Sequence, residues 1–199
     1  MGKTHYVFIC GEINQEMNQR IGKRLLKIAL EAEHGDQLAV IIKSDGGVAG
    51  MAYEIIYAMQ NLEMPIITVG HRTVGSAATI ILASGQTRLI TTNTYIVHHH
   101  SKLKCNVKEG LYSPKQLVDI ALTLLTEVKK MTNEQEKIWR MVTRDSRLTP
   151  AKIKKMLKQS EGGNIYFDAQ QAKKFGLVHD IVPSIRTLPA YLKKDKKEK

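Results

Sequence analysis

The stretch 68–84, TVGHRTVGSAATIILAS, decides how this chain folds. A β-rich run (Ile66, Ile67, Thr68, Val69) ends at Gly70 and leads into a polar turn. Gly75-Ser76-Ala77-Ala78 then opens an almost wholly apolar helix that continues through Ile80 to Ala83. Gly75 permits a sharp backbone turn. Ser76 falls at the helix's first turn, where free backbone N–H groups and the positive end of the helix dipole gather. A hydroxyl there can do one of two things. It can cap the helix, the commoner use of a serine at that position. Or it can attack a carbonyl while the neighbouring N–H groups hold the oxyanion that forms. The surroundings must decide between them.

Upstream, Leu38 to Ile42 (LAVII) is a continuous apolar run, which suits a strand covered on both faces of a parallel sheet. It runs into Lys43-Ser44-Asp45-Gly46-Gly47-Val48-Ala49-Gly50, then a helical stretch from Met51 to Met59, then the strand at Ile66. Strand, glycine turn, helix and strand make a βαβ unit. The glycine turn is neither a G-x-G-x-x-G dinucleotide loop nor a G-x-x-x-x-G-K phosphate loop. It is either an ordinary strand-to-helix turn or a place where exposed N–H groups approach a ligand closely. Further back, Tyr6 to Ile9 reads as a short buried strand closed by Gly11. Asn14 is placed to cap an amphipathic helix near residues 15–33, with Met17, Ile21, Leu25 and Ile28 at helical spacing.

Downstream, Arg88 to Ile90 and Tyr95 to Val97 read as short strands around a turn at 91–94. His98, His99 and His100 follow. Adjacent residues on an extended chain point to opposite faces, so at most two of these imidazoles converge. No carboxylate or cysteine cluster lies nearby to complete a metal site, so none is expected. Residues 101–113 read as a flexible loop. From Ser113-Pro114 to about Arg144 runs the longest helical signal, with Leu117, Ile120, Leu124, Leu125, Val128, Met131, Ile138 and Val142 on one stripe. Roughly thirty residues span about 45 Å, far beyond a core whose radius of gyration is near ~16 Å. The helix should overhang, and its stripe calls for a partner, most economically a second copy. A lysine-rich helix (Pro150 to Leu157), the turn Glu161-Gly162-Gly163, a strand at 165–167, a helix from Ala169 to Phe175 and a last strand near Ile181 complete the chain.

Composition bounds the answer. With 199 residues, 43% hydrophobic and 25% charged, the chain can bury one real core. No apolar run approaches the ~20 residues of a membrane span, so no membrane role is expected. The N-terminus lacks a secretion signal, and Cys10 and Cys105 cannot form a disulfide framework, so the expected compartment is the cytoplasm. The net charge of +11 raises nucleic-acid binding. Much of it sits in Lys152, Lys154, Lys155, Lys158 and a terminal charge run, and no aromatic-interleaved basic motif accompanies it. Bulk charge without a reading element is a weak signal, and no nucleic-acid partner is expected.

Together these residues resemble the ClpP family of self-compartmentalising serine peptidases, from about Tyr6 to Val182. The anchors are Gly11-Glu12-Ile13 after the first strand and SDGG (44–47) where the family has SPGG. G-S-A-A (75–78) stands where the family has A-S-M-G, and L-A-S-G (82–85) follows. R-L-I-T-T-N-T then runs into the histidines, and A-x-x-A-x-x-x-G-L-V (169–178) closes the pattern. The resemblance implies an α/β fold of crotonase-like ββα repeats forming one peptidase domain over residues 1–185. The long helix, about 114–144, would be the handle by which rings meet, and residues 186–199 a basic, disordered tail. It also implies rings of seven stacked in pairs (a tetradecamer) around a chamber, unfolded-protein or peptide substrates, a possible AAA+ unfoldase partner, and no cofactor.

Residue by residue, the resemblance assigns the nucleophile to Ser76 and the oxyanion hole to the amides of Gly47 and Ala77. The general base falls on His99 in an ungapped match, or on His98 if one residue is deleted. The ungapped match keeps the strand parity that sets side-chain direction. The triad's carboxylate position falls on Ser160, with Glu161 beside it. A neutral group there would orient the imidazole without stabilising the imidazolium. Three other readings stay open: a catalytically weak or inactive ring subunit, a Ser–Lys peptidase using Lys115 or Lys129, and an acyl-CoA enzyme of the same fold.

Overall fold

The structure is a computed structural model that describes residues 2–100 and 110–195. Cys105, most of the loop expected at 101–113, and the last four residues of the charged tail lie outside the described residues. Strands β1 (Thr4–Cys10), β2 (Gln37–Ser44), β3 (Ile66–Gly75), β4 (Thr87–Thr91) and β7 (Asp180–Val182) lie side by side in that order, each pair parallel. β5 (Tyr95–His99) pairs parallel with the far end of β3, and β6 (Asn164–Phe167) pairs antiparallel with β5.

The helices are α1 (Gln15–Glu31), α2 (Ala49–Gln60), α3 (Ala77–Ser84), α4 (Pro114–Thr143), α5 (Pro150–Gln159), α6 (Ala169–Phe175) and α7 (Leu188–Asp195). Their ends carry the chemistry the sequence advertises. The Asn14 side chain accepts the Met17 N–H at 2.9 Å. Ser113 with Gln116, and Asp168 with Gln171, each form a reciprocal capping box. Gly176 closes α6 in the left-handed conformation, φ 76°.

β2 explains why the fold has two cores. Leu38, Val40 and Ile42 point into the main core under α1, α2 and α3, with Ile9, Leu25, Ile55 and Ile80. Ala39 and Ile41 point the other way, onto a smaller cluster with Val69, Leu89, Leu188 and Leu192. The cover on that second side is α7, where the sequence reading expects a disordered tail. Leu188 and Leu192 stand one helical turn apart and are both buried, so residues 188–195 are ordered by the apolar surface that β2 presents behind it.

A second difference concerns β3. The strand does not end at Gly70 but runs to Gly75. Its first half pairs with β4 and its last three residues with β5. Between them the register against β2 shifts, and Arg72 takes φ 64° with its N–H held by the Thr94 hydroxyl at 3.0 Å. This bulge hands the strand from one neighbour to the next and re-aims its end.

α4 is unbroken over 30 residues, about 45 Å. Only its C-terminal part is buried, through Gln135, Ile138, Trp139, Val142 and Thr143. Leu117, Val118, Leu122, Leu125 and Val128 are exposed.

Candidate active site

The re-aimed end of β3 places Ser76 between strand and helix at φ 49°, ψ −123°. A residue with a Cβ avoids this region unless its surroundings enforce it. Here they do. The Ser76 N–H donates to the Val97 carbonyl at 3.1 Å, and the Ser76 carbonyl accepts the Thr79 N–H at 3.0 Å and hydroxyl at 2.7 Å. The side chain makes no capping hydrogen bond to α3. The capping role is therefore absent, and the hydroxyl has no hydrogen-bond partner among the described residues.

The Asp45-Gly46-Gly47 turn locks against this elbow. A Cβ on Gly46 would stand 2.5 Å from the Ser76 Cβ, and one on Gly75 would stand 2.8 Å from the Asp45 carbonyl. Gly47, at φ 146°, is bridged to Ile13: the Ile13 N–H donates to the Gly46 carbonyl and the Val48 N–H to the Ile13 carbonyl, both at 2.8 Å. The Gly-Glu-Ile stretch after β1 thus pins the glycine turn. Gly47 and Ala77 line one cleft of about 400 Å³ with Ser76 and His99. Neither amide N–H has an acceptor among the described residues.

The three histidines go three ways. His99 faces the cleft, half-buried. Its Nδ1–H donates to the His100 carbonyl at 2.6 Å, which leaves Nε2 as the basic nitrogen. His98, the alternative base, points to the opposite face of β5. It is buried edge-on against Phe167 at 6.0 Å between ring centroids, and its Nε2 has no hydrogen-bond partner among the described residues. Burial, with the His99 charge second, lowers its pKa from 6.5 to about 4, so it is neutral near pH 7. His100 packs edge-on against Trp139 at 5.8 Å. Among the described residues no three His, Cys, Asp or Glu side chains gather as a metal site would require.

The structure does not bring the expected third members to His99. The Ser160 hydroxyl donates to the Leu157 carbonyl at 2.9 Å and finishes α5, while Glu161 is exposed in the turn beyond. Neither lines the cleft. The residue opposite His99 is Asn164, in the β5–β6 register. Directly paired residues of an antiparallel ladder share a face with Cβ atoms about 5 Å apart. The Asn164 amide has no hydrogen bond among the described residues. The resemblance places the third member at Ser160 or Glu161 and not at Asn164. The alternation of buried Ile165 and Phe167 with exposed Tyr166 was the available signal, because it puts Asn164 on the face opposite the core. Lys115 and Lys129 are exposed on α4, away from the cleft. Ser76 and His99 share the cleft without a hydrogen bond between them.

The model of the Clp protease family matches residues 1–184. The chain belongs to the Clp protease family. Among curated relatives, "ATP-dependent Clp protease proteolytic subunit 2" of Treponema denticola is 24% identical over 189 residues, 94% of this chain and 86% of that protein. "ATP-dependent Clp protease proteolytic subunit 3" of Rhizobium meliloti is 27% identical over 185 residues, 92% of this chain and 86% of that protein. A solved ClpP1 point mutant from Listeria monocytogenes superposes with a TM-score of 0.71 at 21% identity, covering 92% of this chain and 94% of that one. The fold is therefore ClpP/crotonase-like. No helix among the described residues is long and apolar enough to cross a membrane.

This Clp protease family member fixes its closing G-L-V turn to the sheet through one buried side chain. Arg88 on β4 donates from Nε to the Leu177 carbonyl at 3.1 Å and reaches Asp145 at 3.2 Å from Nη1. Its backbone N–H donates to His179 Nδ1 at 3.0 Å. The segment carrying β6 and Asn164, between Asp145 and Leu177, is thereby tied at both ends to Arg88 of β4.

Proposed function

We propose that the chain is a serine endopeptidase acting on peptides or unfolded proteins. Ser76 Oγ attacks the peptide carbonyl, His99 Nε2 takes its proton, and the amides of Gly47 and Ala77 hold the tetrahedral oxyanion. The same histidine then returns the proton to the leaving amine. One observation carries the reading: a strained serine shares a cleft with a basic imidazole nitrogen and two backbone N–H groups, and among the described residues its hydroxyl has no partner and those N–H groups no acceptor. Asn164 is the positioning residue for His99. Its amide oxygen can accept the Nδ1–H that the His100 carbonyl now holds, but it brings no negative charge to the imidazolium.

The exposed apolar stripe of α4 supports ring assembly, and the family's relatives named as Clp proteolytic subunits suggest an AAA+ unfoldase as partner. The compartment that fits is the cytoplasm, where the exposed Cys10 stays a thiol. The test is covalent: a fluorophosphonate should add to Ser76, read by intact mass and peptide mapping, and fluorogenic peptides should be cleaved by wild type and not by Ser76→Ala. Absence of both reactions in assembled protein removes the enzyme reading. A second reading, a catalytically inactive ring subunit, is favoured by the neutral Asn164 beside His99 and by the absent Ser76–His99 hydrogen bond. It expects rings without labelling, and cleavage only when an active subunit is mixed in.

A further inference from the structure

The cleft around Ser76 contains two carboxylates that peptide-bond chemistry does not use. Asp45 stands immediately before the glycine turn, and Glu134 projects from α4; both line the cleft and both are exposed. Neither is in an ion pair among the described residues. The remaining wall is apolar: Ala49 from the start of α2, and Met131 and Ile138 from α4. Met131, Glu134 and Ile138 are spaced three and four apart, so one face of α4 presents an apolar floor with a carboxylate at its centre. The Glu134 charge is also felt on α2. The Tyr53 phenol there has its pKa raised by burial first and by the Glu134 carboxylate next.

An apolar wall that also carries carboxylates without an ion pair among the described residues fits a side chain with an aliphatic stem and a cationic head. An aliphatic side chain would fill the walls and leave the carboxylates unanswered. An acidic one would meet like charge. The protein's own net charge of +11 does not oppose this, because exposed charges more than about 8 Å away are largely screened at physiological salt. Lys43 lines a neighbouring hollow together with Asp45, without an ion pair between them, and competes for that carboxylate. Glu134 has no such neighbour in the cleft. We infer that the cleft selects lysine or arginine at the substrate residue whose carbonyl Ser76 attacks, with Glu134 as the principal anchor and Asp45 as the second. This rests on the peptidase reading above and names its substrate class.

The experiment labels Ser76 with peptidyl diphenyl phosphonates that differ only in the side chain next to phosphorus: lysine, leucine or glutamate. A simple fluorophosphonate reports the serine's reactivity independently. The lysine probe should react about tenfold faster than the leucine probe or more, the worth of one charge-assisted contact. Glu134→Gln should lower that lysine-to-leucine ratio about tenfold, and Glu134→Lys should turn the preference toward the glutamate probe. Equal or faster labelling by leucine, or a ratio unmoved by both Glu134 variants, overturns the inference while fluorophosphonate labelling keeps the peptidase reading. No labelling by any reagent, the fluorophosphonate included, removes both.

Discussion

At Ser76 the side chain is useful only because the backbone is wrong for it. φ 49° is tolerated where Val97, Thr79 and the close-fitting Gly46 leave no alternative. Beside it, two neighbouring histidines differ by one residue and have opposite fates, since strand parity sends His99 to the cleft and His98 into the core. Their environments give two predictions. Replacing Asn164 by Asp puts a carboxylate opposite His99, where it can stabilise the imidazolium; removing such a charge costs ~10⁴ in turnover in the serine-protease template. Asn164→Asp should therefore raise kcat at least about tenfold with little change in KM, and Asn164→Ala should lower it, in steady-state peptide assays. His98 gives a stability prediction. Its pKa falls from 6.5 unfolded to about 4 folded, so the unfolded chain binds the extra proton between those values. Stability from this group is complete above about pH 6.5 and declines as pH drops toward 4, by up to about 3 kcal/mol. Urea unfolding at pH 7 and pH 4.5 should show the loss, and His98→Leu should flatten it. Asp36 and Asp180, both lowered to about 2, act only at more acid pH.

At the scale of elements, two helices carry the argument. α7 exists because β2 is apolar on both faces. Leu192→Ala should cost about 2–3 kcal/mol in urea unfolding, the usual range for a buried leucine truncated where the site can partly relax. α4 is capped and continuous, yet its N-terminal two-thirds expose a run of leucines and valines. Leu122→Glu with Leu125→Glu should leave the circular dichroism of the subunit intact and shift sedimentation from an assembly to a smaller species. A wild-type protein that sediments as a monomer would count against the proposed rings.

For the whole molecule, most of the fold was legible in the sequence. The βαβ unit, the caps at Asn14 and Ser113, the αL close at Gly176 and the overhanging helix all follow from periodicity and local chemistry. They are set by residues close together in the chain. What was misread involves partners far apart. The polar run 71–74 looked like a turn because its reason to stay extended, pairing with β5, lies more than twenty residues away. TLPAYLKK looked like a solvated tail because the apolar surface that orders it is on β2, β3 and β4.

The amino-acid order by itself determined the parallel α/β architecture, since its periodicity and turns are set by residues close together in the chain, and its resemblance to the ClpP family brought Ser76, His99, Gly47 and Ala77 forward as a set. Only the tertiary structure decided what stands beside them. The β5–β6 register set Asn164 rather than Ser160 or Glu161 opposite His99, and the packing of α4 against α3 carried Glu134 into the cleft with Asp45. Both depend on contacts between segments whose spacing along the chain carries no information about their distance in space.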